Sequence, residues 1–178
     1  MKPPLRYKIT DPLYYGRDPV RFFSRLSKSK RSDLILLRDK ENPKLRKLAA
    51  RFVKRYGKRG CISKDLKLAR RFGFGCIHLN AHQLGLIKRV RRKGVRVIYS
   101  AHTPDEVRRA VAMRADFITF SPIFSTPGKG RAVGVRALRR LTRKYKNIIA
   151  LGGILTRSQV HAVMGAKARG YASIRHFL

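Results

Sequence analysis

At 178 residues the chain is long enough to bury one sizeable core and short for two. Its 44 Lys and Arg against 9 Asp and Glu give a net charge of +35 and a pI near 11.7, so polyanions are attracted whether or not binding them is its role. No stretch approaches the ~18 consecutive apolar residues of a membrane span, and the amino end, MKPPLRYKITDP, lacks the apolar run of a secretory leader. A soluble, cytoplasmic protein with no membrane insertion is therefore expected. Cys61 and Cys76 sit in apolar surroundings (GCIS and GCIHL) without CxxC or His spacing, and are expected to be core thiols in a reducing compartment.

Short β-rich runs alternate with longer runs at helical spacing, the pattern of parallel strands joined by crossover helices. A first strand is predicted over residues 7–10, ended by Asp11-Pro12, and a weak helical stretch carries Val20, Phe22, Phe23 and Leu26. The apolar LILL of residues 34–37 is a second strand. After Asn42-Pro43 a helix sets Leu45, Leu48, Ala49, Phe52 and Tyr56 on one stripe and ends at Gly57. A brief third strand at Cys61-Ile62 leads through a Ser63 cap into Leu66, Leu68 and Ala69. Residues 76–79 form a fourth strand, followed by a helix over about 81–92.

The fifth strand covers residues 95–99. At Thr103-Pro104-Asp105-Glu106 a helix start is spelled out: a Thr cap, Pro at the first helical position, and Glu three residues after the cap. The sixth strand (Phe117, Ile118, Phe120) enters the loop SPIFSTPGKG, whose hydroxyls, backbone N–H groups and one mobile cation suit an oxyanion or phosphate. An ordinary strand-to-helix connection has a similar composition. A helix over 135–144, a strand over 148–151, Gly152-Gly153, a helix over 157–164 and a last strand over 171–174 complete the series. Eight strands with seven interposed helices predict a single-domain (β/α)8 TIM barrel whose eighth helix is short or absent; a doubly wound open sheet is the alternative. The outer side of strands eight and one should then be thinly covered.

In such a barrel the chemistry belongs to the loops leaving the carboxyl ends of the strands. Arg38-Asp39-Lys40, His78 with Asn80, Ser100 with His102, the segment from Ser121 to Lys129, Gly152-Gly153 and Ser173 all fall there. In these loops and strands the runs LLRDK (36–40), IHL (77–79), SAHTPDE (100–106), ADFITFSPIFSTPGKG (115–130) and ALGGI (150–154) resemble the thiamine phosphate synthase and TenI family, in order and over nearly the whole chain.

That family is a (β/α)8 barrel. Its synthase members join a pyrimidine diphosphate to a thiazole phosphate with Mg2+, and its TenI-type members aromatise a thiazole phosphate tautomer. The resemblance implies that Arg38 and Lys40 approach the diphosphate and that Thr126 and Lys129 bind phosphate groups. Gly152, Gly153 and Ser173 would supply a second phosphate site through backbone N–H and hydroxyl, with Ser100 and Ser121 in the same substrate-binding set. His102 matches the TenI-type acid/base histidine, a role that suits imidazole near neutral pH; a structural histidine closing the loop is the competing reading.

The sequence also departs from the family. The synthase pattern holds Mg2+ with an Asn-Asp pair before the third helix and an acid after strand four, and Cys61-Ile62 and Gln83 stand in what look like those places. Mg2+ wants carboxylate oxygens, so no metal ligands are assigned and a TenI-like activity is expected over the synthase reaction. The Gln that usually precedes the Leu-Arg pair is Leu36. His78 is expected to be a satisfied buried residue, and His82, His161 and His176 surface residues.

The helix near Val135 presents Arg136, Arg139, Arg140, Arg143 and Lys144 outward, and no acid follows Asp116. Like charges at i,i+4 cost about 0.2 to 0.5 kcal/mol per pair, so the surface forgoes a gain that mixed signs would supply. Deliberate resurfacing, giving a positively supercharged family barrel, is one account; a natural source of such charge is the other. The expected partners are a phosphorylated thiazole or pyrimidine and, through the surface, non-specific nucleic acid. A basic RNA- or DNA-binding protein that uses the barrel only as scaffold is the alternative function. Repulsion favours a monomer at low salt.

Overall fold

The computed structural model describes residues 3–39 and 41–178; Lys40, expected at the diphosphate, lies outside the described residues. Eight parallel strands close in sequence order: β1 (Leu5–Ile9), β2 (Leu34–Leu37), β3 (Gly60–Ser63), β4 (Cys76–Leu79), β5 (Arg96–Ala101), β6 (Phe117–Phe120), β7 (Ile148–Leu151) and β8 (Gly170–Ser173). Pairing of β1 with both β2 and β8 shuts the barrel and excludes the open sheet. Side chains alternate along each strand. Tyr7, Ile9, Leu34, Leu36, Ile98 and Ile149 fill the interior, while Ile35, Leu37, Ile77, Val97, Ile118 and Ile148 pack outward against the helices.

The helix starts follow from short polar caps. Asp11 caps the one-turn α1 (Pro12–Tyr15), and Asp18 accepts the Val20 and Arg21 N–H groups at the head of α2 (Pro19–Lys28). The predicted stripe of α3 (Leu45–Tyr56) buries Leu48, Ala49 and Phe52. Ser63 ends β3 rather than capping a helix; Asp65, two residues on, accepts the Leu68 N–H and starts α4 (Leu66–Phe72). The helix expected over 81–92 is split, because Gln83 Oε1 accepts the Asn80 N–H (3.3 Å) and closes a 3-10 turn before Gly85, leaving α5 as Leu86–Arg91. At Thr103 the expected box forms: Glu106 N–H reaches Thr103 Oγ1 (3.2 Å), Thr103 N–H reaches Glu106 Oε2 (3.1 Å), and α6 runs Pro104–Ala112. Thr156 and Gln159 repeat the device for α8 (Arg157–Gly165), after α7 (Gly134–Lys144).

Beyond β8 there is a 3-10 turn, Arg175–Phe177, and no α-helix. The thin cover expected outside β8 and β1 is nevertheless not what forms. Phe177 is 1% exposed and its ring lies parallel to Tyr171 at 5.8 Å, while Lys30 N–H holds the Phe177 carbonyl at 2.8 Å. Lys8, 3% exposed, places its Nζ 5.7 Å from the Phe177 ring centroid and donates to Ser29 Oγ. Burial, with the Arg59 charge adding to it, pulls this amine down to about 8.

Cys61 and Cys76 are joined in a disulfide rather than being the free core thiols expected. Both turn inward, at 0% and 1% exposure, and the β3–β4 register sets them directly opposite with Cα atoms 4.5 Å apart. Sequence spacing hid this pairing because it exists only once strand register is set, and with it goes the argument for a reducing compartment. Among the described residues no helix is long and apolar enough to cross a membrane.

Candidate active site

Inward-facing residues change character along the barrel axis. In β3, β4 and β5 the apolar layer of Cys61, Cys76 and Ile98 gives way, two residues on, to Ser63, His78 and Ser100. Above this polar layer, at the carboxyl ends of the strands, opens a cavity of about 600 Å3. Nine expected site residues line it: Arg38, Ser100, His102, Ser121, Thr126, Lys129, Gly152, Gly153 and Ser173. Ile9, Leu36, Leu79 and Leu151 add apolar surface to its lining.

The polar layer is a connected network. The Tyr7 hydroxyl lies 2.9 Å from His78 Nδ1, and His78 Nε2 lies 2.8 Å from Ser100 Oγ and 3.4 Å from Thr119 Oγ1. His78 is 6% exposed, so it is the satisfied buried residue expected, although it also lines the cavity. Burial first, then the Arg38 and Lys64 charges, push it down to about 3, so it is neutral. Tyr7 is fully buried and its hydroxyl is pushed up by burial, which keeps its proton. A buried O–H needs an acceptor, and Nδ1 provides it; Nε2 then carries the imidazole proton and donates to Ser100 Oγ. That leaves the Ser100 hydroxyl proton available to the cavity.

His102 is exposed at the rim. Its Nδ1 lies 3.1 Å from the Ser121 carbonyl and 3.3 Å from Ser121 Oγ. A carbonyl oxygen accepts only, so Nδ1 holds the proton and Nε2 is left with a lone pair. Its backbone N–H is held by Glu106 Oε2 at 2.5 Å. The α6 cap thus anchors the histidine as well as starting the helix.

The loop after β6 rides on the loop after β7. Ile123 N–H donates to Leu151 O at 2.9 Å and Phe124 N–H to Gly152 O at 3.0 Å. This approach needs glycine: a Cβ on Gly153 (φ +66) would stand 2.6 Å from Ser125 O and 2.7 Å from Phe124 Cβ. Thr126 Oγ1 donates to Phe124 O (3.0 Å), and Ser173 Oγ donates to Ile154 O (2.7 Å) and accepts from His176 N–H (3.2 Å). Both hydroxyl protons expected for phosphate are therefore engaged with the backbone. Arg38 pairs with Asp11.

Sequence reasoning missed two cations at the cavity, Lys64 and Arg175. Both directly follow strands, β3 and β8 by way of one residue, and that placement was the available signal. Cys61 and Ile62, taken as the counterpart of a metal-binding pair, lie inside β3; the residues that reach the cavity there are Ser63 and Lys64. Gln83 is engaged through Asn80 N–H and, by its Nε2, through Lys64 O at 3.2 Å. His176 is half-buried rather than a surface residue, with Nδ1 3.0 Å from Leu155 O and its ring edge against Tyr171.

Mg2+ would need oxygen donors of high charge, and among the described residues the cavity lining includes no Asp or Glu. Among the described residues no group of three or more His, Cys, Asp or Glu could hold a metal. The donors present do not fit that ion, and the positive charge of Arg38, Lys64, Lys129 and Arg175 suits an anion instead.

The sequence profile of the thiamine monophosphate synthase family matches residues 6–177. A relative in Aquifex aeolicus (strain VF5) is 30% identical over 187 aligned positions that cover 100% of both chains. The thiamine-phosphate synthase of Methanoculleus marisnigri is 31% identical over 94% of this chain and 84% of its own. Among solved structures, thiamine phosphate pyrophosphorylase from Pyrococcus furiosus superposes with a TM-score of 0.76 at 17% identity, covering 96% of this chain and 85% of that one.

Proposed function

This chain belongs to the thiamine monophosphate synthase family, and we propose that its cavity binds a thiazole phosphate and shifts a ring proton in it, as a tautomerase, rather than carrying out the metal-dependent condensation. The observation that carries this reading is His102. Its Nδ1 proton is tied to the Ser121 carbonyl (3.1 Å) and its Nε2 keeps a lone pair at the rim of a cavity whose lining, among the described residues, holds cations and no carboxylate. Nε2 takes a proton from the substrate ring, and the imidazolium returns one at the position that completes the aromatic ring. Lys129, exposed on the β6 loop beside Thr126, meets the phosphate, and the Ser100 proton donates to the ring or its substituent.

The test is turnover of the thiazole phosphate tautomer, alongside condensation of thiazole phosphate with the pyrimidine diphosphate in Mg2+. Tautomer conversion that is lost in His102→Ala and weakened in KM by Lys129→Ala supports the proposal. Condensation by the parent protein, or conversion that survives His102→Ala, removes it.

The charge excess fits resurfacing of a family barrel. Six of the nine acids accept a backbone N–H: Asp11, Asp18, Asp33, Asp65, Glu106 and Asp116. Losing any of them removes a bond that starts a helix or holds a strand end, whereas a purely solvated acid can be replaced without that cost. With a net charge of +35, the protein is a monomer at low salt in this reading, and a stable dimer in sedimentation there would contradict it.

A further inference from the structure

Charge is not spread evenly over the barrel. In a parallel barrel every strand starts at one end and finishes at the other, so the helix-to-strand turns gather on the face opposite the cavity. There, segments 28–33, 54–59, 70–75, 91–96, 143–147 and 167–169 each carry between two and four Lys or Arg. Of the nine acids, only Asp33 and Asp116 lie on that face, paired with Arg6 at 3.0 Å and Arg91 at 3.3 Å. The other seven stand at the cavity end, in the strand-to-helix loops and first helical turns, among about twice as many Lys and Arg. Both ends are thus net positive, and the opposite face, with only two acids, is the more basic.

Helix dipoles account for part of this pattern, since a cation in the last turn is worth about 0.3–1 kcal/mol. They do not account for the residues past that turn, such as Arg92 and Lys93 after α5 or Lys167 after α8, nor for the repulsion such crowding brings. Between α4 and α5 the cations line a groove of about 470 Å3 formed by Leu66, Arg70, Arg89, Arg92 and Lys93. No carboxylate among the described residues pairs with any of its four basic side chains.

We propose that this face, together with the α4–α5 groove that rises from it along the flank, docks the phosphate backbone of a nucleic acid while the cavity at the other end stays open. Three features favour nucleic acid over other polyanions. Guanidinium groups predominate in the groove and grip phosphate oxygens in pairs. Among the described residues the large exposed apolar side chains Leu13, Val20 and Leu155 lie elsewhere and only Leu178, next to the Phe177 held by Lys30, borders the face, so it offers little to insert into a lipid layer or to anchor a protein partner. The cations are carried on rigid helix ends around a closed sheet, a fixed array for the regular charges of a backbone.

The test compares two triple variants of equal charge change: Arg70→Glu/Arg92→Glu/Lys93→Glu in the groove, and Arg136→Glu/Arg139→Glu/Arg140→Glu on the flank of α7. All six are exposed in the native protein. Binding of a short single-stranded RNA is followed by fluorescence anisotropy across a salt series, with melting curves confirming that each variant is folded. The groove variant should lose about tenfold or more in affinity, and its plot of log affinity against log salt should flatten by about 2, from ~0.7 per lost phosphate contact. The α7 variant should lose clearly less. Equal losses in both would show diffuse attraction and overturn the proposal, as would binding to phosphatidylserine vesicles that the RNA does not displace. Should the groove triple not fold, Arg92→Gln and Lys93→Gln, singly, test the same ordering against Arg139→Gln.

Discussion

The Tyr7 hydroxyl donates to His78 Nδ1 across 2.9 Å inside the barrel, and this one bond sets which nitrogen of His78 faces Ser100 with a proton. Tyr7→Phe removes the donor and leaves Nδ1 buried without a partner, at a cost of about 1–3 kcal/mol. The imidazole is then free to move its proton to Nδ1 and accept from Ser100 instead. Nitrogen-15 spectra of the ring should show a single Nε2–H tautomer in the parent and a changed one in Tyr7→Phe. An unaltered spectrum would refute the assignment.

His78 also predicts a pH dependence. Its folded value of about 3 lies below the unfolded 6.5, so the unfolded chain binds the proton more readily. The stabilisation that comes from a neutral His78 is complete above about 6.5 and is lost as pH falls from there toward 3, by about 1.4 kcal/mol per pH unit. Denaturant titrations between those limits should show this slope in the parent and a shallower one in His78→Asn. Parallel slopes would rule His78 out as the titrating group.

Gly153→Ala should do more damage than loss of a glycine in open loop. Its added methyl meets Ser125 O and Phe124 Cβ, and φ +66 is strained for alanine, so the β6 loop carrying Thr126 and Lys129 must move. Lower stability and weaker binding of inorganic phosphate should appear together. As a comparison, Gly128→Ala shares the positive φ but meets nothing within 4 Å, and should leave phosphate binding closer to the parent. Equal effects from both would mean that the contact between the two loops is unimportant.

The Cys61–Cys76 bridge spans two adjacent strands in a fully buried layer. Unfolding the protein without reductant should therefore reveal no free thiol, and unfolding with reductant should reveal both. Two reactive thiols in the unreduced, unfolded chain would show that the cysteines are not bonded.

Local chemistry was legible wherever one segment contained its own cause. The Thr103–Glu106 box, the α3 stripe, the LILL strand and the strand-helix alternation each depend on residues a few positions apart, and from their count and order the barrel follows. Because a barrel puts every strand's carboxyl end on one side, the nine described candidate residues could be gathered from the sequence before any contact was known. What they do to one another could not. The disulfide, the Tyr7–His78–Ser100 chain, the hydroxyls of Thr126 and Ser173 turned to backbone carbonyls, and the Phe177 ring closing the outer wall all depend on register and loop approach between segments far apart in sequence. Net charge, likewise, is a property of composition, but its division into an end where most of the acids gather and a more basic opposite face arises only when closure of the sheet brings separate helix ends together.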